Sequence, residues 1–229
     1  MYNKMKKILF SDKYSLTQAV LDGRKTMTRR IIKCPRTFKG EWVAGFNIHR
    51  RHSDKKIVGW PYMYDADERE FDMGEILPKY KVGEVVAVAQ RYKDVVEKRN
   101  EAQETLCLYK IGEEYLTMEE MGAGWSNTMF TKADLMPHHI RITNIKIERL
   151  QDISDEDCLR EGVELNTRQY EYDGTKKYCV CGLGHWRAIG CTDFDTPREA
   201  FAALIDKVSG KGTWESNPYV FVYEFELID

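Results

Sequence analysis

The chain has 229 residues, 42% hydrophobic and 31% charged, a balance that supports one packed domain and excludes a disordered chain. No apolar run approaches the ~20 residues of a membrane-spanning helix, and "MYNKMKKILFSDKYS" at the start has neither the long apolar core nor the small-residue cleavage site of a secretory signal. No membrane partner is therefore expected, and a cytoplasmic location is. The formal net charge of −2 conceals an asymmetry: residues 1–56 carry 15 Lys and Arg against 4 Asp and Glu, a balance of +11, which leaves −13 for the rest. A basic N-terminal quarter can form a positive face that attracts phosphate.

In chain order, "KKILFS" predicts a short buried strand. "YSLTQAVLDG" predicts a short helix, with Leu16, Val20 and Leu21 at helical spacing and Gly23 as its stop. "TRRIIK" returns to extended structure. Residues 34–78 hold Pro35, Gly40, Gly45, Gly59 and Pro61 among scattered aromatics without a sustained period, as an insertion would. Lys81-Val82-Gly83-Glu84 predicts a turn, followed by a strand with Val86 and Val88 on one face. A second irregular stretch covers about 93–130 and contains a candidate hairpin at "TLCLYKIGEEYLTM".

"HIRITNIKIERL" predicts a long strand whose alternation slips by one at Asn144, the mark of a bulge. "ISDEDCLREG" predicts a short helix capped by Ser154, with Asp157 three residues on and Gly162 at its end. A third insertion covers about 164–195. "TPREAFAALIDKVSG" predicts the clearest helix, with Thr196 and Glu199 as a capping box, Pro197 at its first turn, and Phe201, Leu204, Ile205 and Val208 on one face. "NPYVFVYEFELI" closes the chain as an alternating strand. Several strands with few short helices predict an α+β fold around a sheet or small β-barrel, in a single domain over residues 1–229.

Six cysteines, Cys34, Cys107, Cys158, Cys179, Cys181 and Cys191, read as free thiols in a cytosolic chain of this size. Cys179, Cys181, His185 and Cys191 have the ligand types of a tetrahedral zinc site, but one residue separates the first pair where zinc pairs usually have two to four. A loop with free thiols is the expectation, with no metal and no cofactor.

The segment "LDGRKTMTRRII" carries the densest chemistry. Gly23 ends a helix, and Lys25 to Arg30 leave it as a turn becoming a strand, on which Thr28 and Arg30 point the same way. A lysine beside a hydroxyl activates a weak nucleophile when its own pKa is depressed, and Arg24, Arg29 and Arg30 supply the neighbouring positive charge. The same arginines suit phosphates or an oxyanion. Glu161, placed at a helix C-terminus that disfavours a carboxylate, is a further candidate.

Gly23-Arg24-Lys25-Thr26-Met27-Thr28-Arg29-Arg30 resembles the Gly-x-Lys-x-x-Glu-x-Arg signature of the ASCH domain, a branch of the PUA-like superfamily. Gly23, Lys25 and Arg30 match, and Thr28 replaces the glutamate, as in the small bacterial N(4)-acetylcytidine amidohydrolases of that family. The Lys81 to Glu84 turn, "ERLQDIS", the short helix ending at Glu161 and "YVFVYEFEL" follow in the expected order. The resemblance covers residues 6–33, 79–93, 138–165 and 197–229, about half the chain. With its insertions the chain also resembles uncharacterised phage and prophage proteins.

The resemblance implies a PUA-like small β-barrel and a catalytic set of Lys25, Thr28 and Glu161, with Glu156 one turn earlier as the alternative carboxylate. It implies that Lys25, held neutral by its cationic surroundings, deprotonates Thr28, that Thr28 attacks the acyl carbonyl of a modified nucleoside, and that Arg30 steadies the oxyanion. The alternative it leaves open is an RNA or modified-nucleotide binding module, in which Arg24, Arg29 and Arg30 contact phosphates and Trp42, Trp60 or Trp125 stacks on a base. A third is a phage accessory protein whose insertions meet a protein partner that the sequence does not identify.

Overall fold

The computed structural model describes residues 5–100, 108–167, 171–172, 174–183 and 192–229. Strands β1 (Lys7–Ile8) and β2 (Met27–Ile31) flank helix α1 (Leu16–Leu21). The first insertion holds β3 (Thr37–Phe38), β4 (Glu41–Trp42), β5 (Gly45–Asn47), β6 (Tyr62–Tyr64) and β7 (Glu70–Glu75), after which β8 (Val85–Val88) returns to the main sheet. Helix α2 (Tyr92–Val95), strands β9 (Lys98–Asn100), β10 (Leu108–Ile111) and β11 (Glu114–Leu116) and helix α3 (Met118–Met121) make the second insertion. The long strand β12 (His139–Arg149), helix α4 (Asp155–Arg160), strands β13 (Glu164–Leu165) and β14 (Tyr178–Cys179), helices α5 (Pro197–Ser209) and α6 (Thr213–Ser216), and strand β15 (Tyr219–Leu227) complete the order.

The main sheet runs β1-β8-β12-β15-β2, with β1 parallel to β8 and the other pairs antiparallel. Strand β15 lies between β12 and β2 because its β-branched and aromatic residues fit a strand packed on both faces: Val220, Phe221, Val222 and Tyr223 are all buried. The slip foreseen at Asn144 is a bulge. Ile142 pairs with Phe225 and Asn144 with Glu224, so Thr143 is the extra residue. Its effect is to restore phase. Ile140, Ile142, Ile145 and Ile147 all lie opposite the odd-numbered residues of β15 despite the odd interval between them.

Helix α5 forms as its sequence foretells, with the Thr196–Glu199 capping box in place and Ala200, Phe201, Leu204 and Ile205 buried. Val208 departs from the expectation: it is 45% exposed and lines a cleft. A second core gathers Tyr92, Ile111, Leu116, Met121, Leu135 and Met136 beneath the second insertion. The expected hairpin is β10–β11, turning at Gly112.

The architecture is mixed α+β with a sheet core. In place of a closed barrel, the sheet order leaves β1 and β2 as edges, and among the described residues no ladder joins them. One side chain spans the gap: Arg30 Nη2 donates to the Leu9 carbonyl, just beyond β1, at 2.6 Å.

Candidate active-site cleft

Strand β2 is an edge strand, with one backbone edge unpaired. Along it lies a cleft of about 380 Å³ lined by Lys25, Thr28, Arg29, Arg30 and Glu161, with Phe10, Leu16, Phe201, Leu204, Ile205 and Val208 as an apolar wall. Thr28 and Arg30 oppose Tyr223 and Phe221 on β15, on one face, while Arg29 opposes Val222 on the other.

Local backbone bonds fix the approach of the two key segments. The Lys25 N–H donates to the Ala19 carbonyl (2.8 Å), which folds the turn back on α1, and the Thr26 N–H donates to the Arg160 carbonyl (3.0 Å), which joins the start of β2 to the end of α4. Glu161 follows as the C-cap of α4. Gly162 then turns away at φ +102°, and a Cβ there would meet Leu16 Cδ2 at 3.0 Å and Lys25 Cδ at 3.7 Å. Only glycine combines that dihedral with that close approach.

Lys25 is 3% exposed. Its ammonium donates to Glu161 Oε2 (2.6 Å) and to the Glu161 carbonyl (2.7 Å), so it satisfies both a carboxylate and an otherwise unpaired carbonyl at the helix end. Burial nevertheless pushes the Lys25 pKa below the usual lysine value. The Glu161 carboxylate opposes that shift, and Arg30 and Arg29 add to it. The depression expected from cationic neighbours thus has desolvation as its principal cause.

Arg29, with its side chain 1% exposed, donates to Glu148 Oε1 from Nε (2.9 Å) and Nη2 (2.6 Å), to Asp157 Oδ2 (2.9 Å) and to Glu161 Oε1 (3.1 Å). Its guanidinium is committed to three carboxylates and is not free to grip a phosphate. The structure gives it the work of holding Glu161 in place. Burial lowers the Arg29 pKa, but the three carboxylates more than offset this and the net shift is upward. Asp157 is pushed up by burial but held below its ordinary value overall by Arg29, Lys146 and Arg160.

Thr28 is buried on the cleft floor. Among the described residues no hydrogen bond joins it to Lys25, whose ammonium bonds go to Glu161. Arg30 lies over the Phe10 ring at 5.8 Å, with the Lys25 ammonium also 5.8 Å from that ring. Arg24 is outside the cleft, exposed and paired with Asp22 (2.9 Å) and Glu164. The alternative carboxylate, Glu156, is exposed and does not line the cleft.

Of the tryptophans, Trp60 packs edge-on against Phe221 (6.0 Å) and Trp125 against Tyr109 (5.3 Å), whereas Trp42 is 63% exposed. Cys179 is buried, and exposed Cys181 accepts a hydrogen bond from Ser15 Oγ (3.2 Å). His185, Cys191 and Cys107 lie outside the described residues. Among the described residues no group of three or more His, Cys, Asp or Glu side chains is placed to hold a metal ion.

Sequence reasoning missed Glu148 and Asp157, which hold Arg29 from β12 and α4, and Lys146, which pairs with both of those carboxylates. The signal was faint: Lys146 and Glu148 alternate with the apolar face of β12, as surface residues do. Only the placement of β12 and β2 on either side of β15 brings Glu148 to Arg29. No family model matches the chain, and neither does any curated protein or solved structure.

Proposed function

We propose that the chain is an amidohydrolase with a PUA-like (ASCH) core that removes an acyl group from a modified nucleoside such as N(4)-acetylcytidine. One observation carries the reading: Lys25, Thr28 and Glu161, drawn from distant parts of the sequence, are all buried and line one cleft of about 380 Å³, a size that suits a small ligand.

The Lys25–Glu161 pair supplies acid and base together. Transfer of one proton from Nζ to Oε2 across 2.6 Å gives the neutral amine that the reaction needs, and the burial that lowers the Lys25 pKa favours that amine. Lys25 then turns from Glu161 to Thr28 and takes the Oγ proton as Oγ bonds to the acyl carbon. Backbone N–H groups of the turn stabilise the oxyanion. The C–N bond breaks as Glu161 gives its proton to the departing nitrogen, and cytidine leaves. A water then loses a proton to Glu161 and attacks the Thr28 ester. Thr28 Oγ recovers its proton from Lys25, and acetic acid departs, its proton passing to solvent. Glu161 is again protonated and Lys25 neutral, so the cycle closes.

The test is chromatography of N(4)-acetylcytidine incubated with wild type, Lys25→Ala and Thr28→Val. Cytidine is expected with the wild type, and a loss of at least about 10²–10³-fold in rate with each variant. Full activity in Thr28→Val, which keeps the shape and removes the hydroxyl, would overturn the assignment of the nucleophile. An RNA-binding module draws less support, because two of its three arginines, Arg24 and Arg29, are already paired with carboxylates.

A further inference from the structure

Beyond the cleft that holds Lys25 lies a second cavity of about 310 Å³, and the two share Leu9, Arg30, Ile31 and Lys33 as a common border. Tyr80, Phe221 and Tyr223 give the second cavity an aromatic side, and Lys79 stands at its rim. Three cations therefore meet around it: Arg30, Lys33 and Lys79. Among the described residues none of the three has a carboxylate within ion-pair distance, in contrast to Arg24, Lys25 and Arg29 a few residues earlier. Arg30 is the most telling of them. It is half-buried, and of the five N–H donors of a guanidinium one is engaged, with the Leu9 carbonyl. A partly desolvated cation without an acidic partner costs stability that a bound anion returns.

We infer that this second cavity receives a phosphate monoester, so that the preferred substrate is the acylated nucleoside 5′-monophosphate rather than the free nucleoside. The inference rests on the reading of the first cleft as the site of the acylated base. The base end would meet Lys25, Thr28 and Glu161. The sugar would cross the border at Ile31 and Leu9, and the phosphate would lie among Lys33, Lys79 and Arg30. A monoester, with a charge near −2 at neutral pH, gains more from three cations than a singly charged diester does. The Tyr80 hydroxyl is committed to the Lys7 carbonyl at 2.9 Å, so the aromatic side of the cavity meets the ligand through ring faces and edges.

The experiment is calorimetric titration at low salt with cytidine, cytidine 5′-monophosphate and the dinucleotide CpC, which has a diester and no terminal phosphate. Each is titrated into wild type and into a Lys33→Gln/Lys79→Gln double variant. Both lysines are exposed, so the variant should fold, and its thermal midpoint checks this. The expected result is that the monophosphate binds wild type at least about tenfold more tightly than cytidine, and that the ratio falls towards one in the double variant and as salt is raised. Equal affinity for cytidine and its monophosphate, binding of neither, or tighter binding of CpC each overturns the inference, the last in favour of an RNA strand. Because the readout is binding, failure of hydrolysis with this preference intact sinks the catalytic reading alone.

Discussion

Arg29 and Lys25 illustrate how one strand end carries two kinds of buried cation. Arg29 places its guanidinium within 3.1 Å of each of three carboxylates, those of Glu148, Asp157 and Glu161. Replacing it by Met would leave that acidic cluster without its cation, which for buried ion networks costs about 3–5 kcal/mol. Thermal unfolding of Arg29→Met should show a loss of this order near neutral pH. The sign of the pH dependence follows from Asp157, whose pKa is held below its ordinary 3.8. Its contribution is present above that value and is lost as pH falls through the lowered one. The gap between wild type and variant should therefore narrow in acid, and a gap that widens there would refute the account.

Lys25 has the opposite tendency, with a pKa depressed from 10.5. As a base it works when neutral, while Glu161 holds the one proton of the pair. The pH profile of kcat/KM should therefore fall in alkali, as the pair loses that proton, along a limb whose midpoint lies below 10.5. A midpoint at or above the ordinary lysine value would remove Lys25 from the role of base.

At the scale of elements, the sequence was most legible where a pattern was long enough to have a phase. The bulge at Asn144 was readable because isoleucines flank it on both sides, and helix α5 because Thr196, Pro197 and Glu199 mark its start. The short strands β3 to β6 of the first insertion were not readable. Two or three residues carry no period, and such strands exist because partners elsewhere in the insertion meet them. The second insertion shows what else sequence hides. Lys7, on edge strand β1, donates to the carbonyls of Thr128 (2.9 Å), Met129 (2.8 Å) and Thr131 (2.5 Å). One ammonium thus fastens a turn more than a hundred residues away to the main sheet. Lys7→Met should raise amide hydrogen exchange across residues 118–136 about tenfold while β12 and β15 keep their protection. Equal loosening of both regions would mean that Lys7 serves the whole fold rather than that turn.

For the whole molecule, the sheet order decides what the site contains. Lys25 and Thr28 were legible as a local motif, and Glu161 as a carboxylate in an unfavourable helical position. That Arg29 serves Glu161, and that Arg24 faces away, depended on β2 lying at the edge beside β15 with α4 against its start. The residues surrounding Arg29 extend outward. Lys25, Arg29, Lys146 and Arg160 alternate with Glu161, Glu148, Asp157 and Glu224 in one connected set of ion pairs. The four positive and four negative formal charges cancel. Seen as a matter of descent, these eight positions form one hereditary unit spread over four stretches of chain. A lineage that loses a charge at Lys25, Arg29 or Glu161, the three buried members, carries an uncompensated buried ion until a second change restores the sum, so substitutions at these three should be inherited in opposite-signed pairs.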